Sequence, residues 1–255
     1  MKSFYIGTWQ VKHIEKTKHP LMVSYRWLKN RKKEIKQKAP LALDSGGFTE
    51  LEKNGEWTIT AQKYTTDVRR LRDEIGLQFD FVAPQDWMCE PHMIEKTGLS
   101  VKKHQELTVK NYIELKQLAP DLPIIPVLQG FQMDEYKYCF ELYLQNGIDL
   151  RNEPLVGLGS VCRRQNTDEI ADIIKTFSTG KYNLKIHAFG IKKGGLLKSK
   201  ENITSADSMA WSFRARKDEL HSERSHCVKL PDCASSCRNC LNFALSWAER
   251  IGASV

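Results

Sequence analysis

The chain has 255 residues, 41% of them hydrophobic, and a formal net charge of +8. That length builds one large domain with a full core, and the composition is ordinary for a soluble globular protein. No apolar run approaches the roughly 20 residues of a membrane span and Met1–Gly7 lacks the shape of a signal peptide, so the expected location is the cytoplasm.

Phe4–Gly7 and Leu21–Tyr25 are the first two predicted strands. Trp27–Lys38 reads as a basic helix, containing the densest run of lysine and arginine in the chain. Such a run by itself is a solvated helix face. The excess of positive charge over the whole chain gives weight to a polyanionic partner.

Leu41–Asp44 is the third strand, and it stops at Asp44-Ser45-Gly46-Gly47-Phe48. An acid at a strand end is followed by glycines that permit a sharp turn and a close approach to a ligand. Thr60–Ile75 follows as a helix with Tyr64, Val68, Leu71 and Ile75 on one face. Phe79–Ala83 is the fourth strand and leads into Pro84-Gln85-Asp86-Trp87.

Ser100–Leu118 is a helix with Ser100 as N-cap and Pro120 beyond its end. Ile124–Leu128 is the fifth strand, ending at Gln129-Gly130. Met133–Gln145 is a helix that stops at Asn146-Gly147. Leu155–Leu158 is the sixth strand, within Val156-Gly157-Leu158-Gly159-Ser160. Thr167–Ser178 is a helix with Thr167 expected as its N-cap. Lys185–Phe189 and Ser205–Met209 are the last two strands, with a short helix between them after Gly194-Gly195. Leu241–Ile251 closes the chain as a helix.

Eight largely apolar strands separated by helices predict a (β/α)₈ TIM barrel. An open doubly wound sheet is the alternative. The barrel is favoured because the polar motifs fall at strand C-termini, where barrel enzymes carry their chemistry. The expected division is a barrel over residues 1–220 and a small C-terminal zinc-binding appendage over 221–255.

Cys227, Cys233, Cys237 and Cys240 crowd into a Cys-x5-Cys-x3-Cys-x2-Cys pattern. Without a secretory signal, four thiolates this close fit a structural Zn2+ better than a disulfide framework. His221 or His226 is an alternative to Cys227 as the fourth ligand.

The order of the strand-end motifs, Asp-Ser-Gly-Gly-Phe above all, resembles that of the tRNA-guanine transglycosylase superfamily. Its DNA-modifying branch, the DpdA-type proteins of bacteria and phages, is the most similar. The resemblance covers roughly residues 41–240. It implies exchange of guanine in DNA for a 7-deazaguanine of the preQ0 type. By this match Asp207 is the nucleophile and Asp44 the acid/base. Asp86, Gln129 and the backbone N–H groups of Gly157 and Leu158 read the base. Phe48 and Phe189 stack on it, with ordinary core packing as the alternative for each ring. Ser45 orients Asp44 or satisfies the local turn.

Arg214 and Arg216, which follow Asp207, are expected at DNA phosphates. The family's Asp-x-Cys pattern is not kept, because Asp86-Trp87-Met88-Cys89 places the cysteine one residue later. The expected partners are DNA with its target guanine outside the stack, a free 7-deazaguanine and a second copy in a homodimer, with no membrane. Two other functions remain open at this point. One is the same exchange on tRNA, and the other is a non-catalytic zinc-containing nucleic-acid-binding protein.

Overall fold

The computed structural model describes residues 1–162, 164, 167–221 and 236–252. Eight parallel strands form one sheet: β1 (Ser3–Thr8), β2 (Leu21–Ser24), β3 (Leu41–Asp44), β4 (Phe81–Val82), β5 (Val127–Leu128), β6 (Val156–Leu158), β7 (Ile186–Ala188) and β8 (Ser205–Ser208). Their order is β4-β3-β2-β1-β8-β7-β6-β5. The two ends of that row meet through a parallel bridge between Val82 and Ile124. There the Val82 N–H donates to Pro123 O at 2.9 Å, and the Ile125 N–H to Val82 O at 3.1 Å. The architecture is TIM-like, as expected, with helices between the strands.

The helices are α1 (Tyr25–Leu28), α2 (Gly47–Asn54), α3 (Ala61–Asp73), α4 (Pro91–Thr97), α5 (Val101–Leu118), α6 (Met133–Gln145), α7 (Thr167–Ser178), α8 (Lys193–Ser199), α9 (Ala210–His221) and α10 (Leu241–Arg250). Local chemistry sets several of their ends. Ser100 caps α5 by accepting from the Lys103 N–H, and Thr60 does the same for α3 with Lys63. Gln132 and Glu135 make a reciprocal capping box at the start of α6. α7 begins at Thr167 itself.

Two hydrophobic layers follow from strand alternation. Tyr5, Met22, Ala42, Phe81 and Ile125 form a small cluster of their own inside the barrel. Leu21, Val23, Leu41, Leu43 and Val82 belong to the larger core beneath the helices. Ser24 and Asp44 lie two residues beyond Met22 and Ala42, so they share the inward face at the strand C-termini. Asp207 pairs in register with Tyr5 and is aimed the same way.

The basic helix expected over Trp27–Lys38 is not formed, since α1 ends at Leu28. Residues 29–40 instead run irregularly, with Ile35 as the only buried large apolar side chain in the segment. Its backbone is spent elsewhere: the Ile35 N–H donates to Ile75 O and the Lys38 N–H to Ile14 O. Arg70 holds it further by donating to the carbonyls of Lys29 and Arg31. A helix there would stack like charges on one another without an apolar stripe to bury.

α10 packs against β1 and α9. Phe243 and Trp247 join the main core, and the Trp9 indole N–H donates to Asn239 Oδ1 at 2.8 Å. Cys227, Cys233 and His226 lie outside the described residues, as does the side chain of His221. Cys237 and Cys240 are buried at the turn that enters α10. Among the described residues no three His, Cys, Asp or Glu side chains gather around a metal position. No helix among them is long and apolar enough to cross a membrane.

Candidate active site

A cavity of about 250 Å³ opens at the C-terminal ends of the strands. Asp44, Ser45, Phe48, Asp86, Gln129, Phe189 and Asp207 all line it. Seven residues named from sequence, carried by five different strand ends, therefore meet at one place.

Asp44 ends β3, and Gly46 follows at φ 82°, in the left-handed region. A Cβ at Gly46 would press on the Arg26 stem at 2.8 Å. Glycine is thus required twice here, for backbone angle and for space. The turn starts α2 and puts Phe48 on the cavity wall beside Trp57 and Met88. Burial pushes the Asp44 carboxyl above the usual carboxylate range, and the Asp207 charge adds to the rise. The Gly46 N–H, the Ser24 hydroxyl and the Arg26 guanidinium oppose it.

Asp207 is 13% exposed. Its Oδ1 accepts from the Gly190 N–H at 2.8 Å and lies 3.3 Å from His187 Nε2.

Asp86 and Gln129 form the polar side of the cavity. Gln129 Nε2 donates to Asp86 Oδ2. The Ser160 hydroxyl lies 2.7 Å from Gln129 Oε1 and 2.9 Å from Glu90 Oε2, so its single hydrogen serves one acceptor at a time. Ser160 Oγ in turn accepts from the Cys89 N–H at 2.8 Å. This chain orients the Gln129 amide. Ser160 sits at φ 57°, an uncommon conformation for a residue with a Cβ. Burial pushes Asp86 up to about 7, the Gln129 hydrogen bond opposes that, and the charges of Asp44 and Glu90 add to it.

The structure departs from the expected set at β6. The Gly157 N–H donates to Pro126 O within the sheet, and Leu158 is buried in the main core. Gly159 and Ser160 line the cavity there instead. Gly157 has a packing role, because a Cβ would run into the Phe189 ring. Arg214 and Arg216 are exposed on α9 and do not line the cavity.

Glu90, Ser160, Ser24, Trp27 and Met209 also line the cavity and were not singled out from sequence. Trp27 and Met209 are exposed by 59% and 38%, so two large apolar side chains stand open at the mouth. Glu90 stands four residues after Asp86, at the entrance to α4. A second acid so close to a strand-end aspartate was the one available signal for it.

The cavity offers a polar, planar ligand the rings of Phe48 and Phe189, the Gln129 amide and the carboxylates of Asp44, Asp86, Glu90 and Asp207. The chain belongs to the family described as DpdA: DeoxyPurine in DNA protein A, whose model matches residues 1–255. Membership gives it a DNA-modification function among the transglycosylases. No curated protein matches the chain. Among solved structures it is similar to a thiamine phosphate pyrophosphorylase from Pyrococcus furiosus, with 11% identity, 98% of this chain and 96% of that one covered, and a TM-score of 0.37. A likeness that distant has no bearing on function.

Proposed function

We propose that this member of the DpdA family exchanges guanine in DNA for a 7-deazaguanine through a covalent Asp207–deoxyribose intermediate. The observation that carries the reading is the meeting of Asp44 and Asp207 in one cavity that also holds Asp86 and Gln129.

Breaking an N-glycosidic bond builds positive charge at C1′ of the sugar, and a carboxylate beside that carbon can trap it as an ester. Asp207 supplies the attacking oxygen. The C1′–O bond forms as the C1′–N9 bond breaks, and the electron pair leaves on guanine. Asp44 holds a proton for that departure, which its raised affinity for protons favours. The entering base then gives its N9 proton to Asp44 and attacks C1′. The C1′–O bond breaks, its electrons return to Asp207, and no net proton is consumed.

Asp86, when ionised, accepts from the N1–H and 2-amino groups of the base. Gln129 reaches O6 or position 7. Phe48 and Phe189 offer flat faces to the ring. The target nucleotide must leave the duplex stack, or lie in single-stranded DNA, to enter a cavity of this size. Arg214 and Arg216 are proposed to meet phosphates outside it.

A structural Zn2+ is proposed at the C-terminal segment. Cys237 and Cys240 are spaced for a thiolate pair, and the Cys240 N–H donates to Cys237 O at 3.1 Å, which closes the turn between them. Cys227 and Cys233 would complete the set. The metal's part is to fold the segment and not to act in catalysis. Nucleoside mass analysis of DNA incubated with the protein and 7-cyano-7-deazaguanine tests the exchange, and DNA that gains no deazaguanine counts against it.

A further inference from the structure

We infer that His187 is a positioning residue that fixes which carboxylate oxygen of Asp207 attacks the sugar. The inference rests on Asp207 being the nucleophile.

His187 lies in β7 and is fully buried inside the barrel. Its ring is walled by Phe81 and Phe189 at centroid distances of 4.6 and 4.7 Å, with Tyr5 at 6.0 Å. Both ring nitrogens are engaged. Nδ1 lies 2.8 Å from Ser205 Oγ, and Nε2 lies 3.3 Å from Asp207 Oδ1. His187 and Ser205 are register partners across β7 and β8, so the sheet itself sets this pairing. An ionised carboxylate oxygen only accepts, so Nε2 must carry the hydrogen. The hydroxyl of Ser205 adapts to whatever Nδ1 requires.

The second donor to Oδ1 is the Gly190 N–H. Gly190 has φ 58°, and a Cβ there would meet Cys162 Cβ at 2.7 Å. The turn that aims this N–H is therefore specific to glycine. Two donors converge on Oδ1. Oδ2 has no hydrogen-bond donor among the described residues.

Oδ2 is thus the nucleophile. Its lone pair forms the C1′–O bond as the C1′–N9 bond breaks. Oδ1 becomes the ester carbonyl oxygen and keeps both N–H contacts. In the second half the C1′–Oδ2 bond breaks, its pair returns to the carboxylate, and the charge spreads onto Oδ1, where both donors meet it.

The experiment follows exchange of labelled guanine into a DNA oligonucleotide by the full chain, with mass mapping of the trapped protein–DNA adduct. His187→Phe removes the donor, while His187→Gln places an amide N–H near the position of Nε2. The expected result is a kcat lowered by about 100-fold in His187→Phe, in the range for loss of one oriented donor. KM for guanine should stay within about twofold, and His187→Gln should recover at least about tenfold of the loss. Ser205→Ala, which frees the ring to turn, should slow exchange by about tenfold. Wild-type rates in His187→Phe and Ser205→Ala would overturn the inference, as would a His187→Gln variant no faster than His187→Phe. An adduct in the wild-type protein mapped to a residue other than Asp207 would remove the reading beneath it instead.

Discussion

Gly159 packs so tightly on the Gln129 amide that a Cβ at position 159 would lie 2.6 Å from Cδ and 2.7 Å from Oε1. The backbone of Gly159 is not left-handed, so alanine is conformationally acceptable, and the atoms nearest the new Cβ are the end of the Gln129 side chain. Gly159→Ala is expected to leave the fold intact and to raise KM for the base by about tenfold or more, the cost of one displaced buried hydrogen bond. Steady-state exchange assays on the variant measure this.

Asp86 titrates near 7 because it is buried beside other carboxylates. As an acceptor for N1–H and the 2-amino group it must be ionised, so base binding is expected to strengthen as pH rises through 7. The sign for stability is opposite. Between the unfolded carboxylate value and 7 the folded state keeps a proton that the unfolded chain has lost, so stability falls across that window as pH rises. Asp86→Asn removes the charge. It should raise Tm by at least about 2 °C at pH 8, with a smaller gain at pH 5, while base binding is lost. Thermal melts and a base-binding titration at both pH values check the two halves.

Much of this was legible in the chain, for physical reasons that differ by element. α6 and α7 have the expected bounds because their signals are local, the Asn146-Gly147 stop for α6 and the acid Glu169 in the first turn for α7, although Thr167 opens α7 and does not cap it. Asp44, Asp86, Gln129 and Asp207 are legible because each lies at or shortly beyond the C-terminal end of a strand, and barrel closure brings those ends together. The segment 29–40 was misread because charge density carries no period, and its carbonyls are held by Arg70 from far along the chain. α2 was missed because Gly46-Gly47 reads as a turn while the helix starts inside it. Glu90 and Ser160 became visible only when folding placed both beside Gln129.

Trp27 is 59% exposed yet lines the cavity mouth, which leaves its ring available to stack on a base next to the extruded guanine. Stacking of this kind is worth about 1–3 kcal/mol per base. Trp27→Ala is expected to weaken DNA binding by about tenfold while the KM for free base stays unchanged. Fluorescence anisotropy with a labelled oligonucleotide separates the two.

Elemental analysis of the purified chain should find one zinc per molecule, bound with the tetrahedral thiolate chemistry that four cysteines provide. Cys237→Ser should lower that content and destabilise α10, whose Phe243 and Trp247 join the main core. A protein fully folded with no zinc would remove the metal from the C-terminal segment.

The most direct test of the mechanism is intact mass spectrometry of the protein quenched during reaction with guanine-containing DNA, followed by peptide mapping. The predicted result is a covalent protein–DNA species attached at Asp207, absent from Asp207→Asn and regained by no other carboxylate. An Asp207→Asn protein that still forms the adduct, or still exchanges guanine at the wild-type rate, would contradict it.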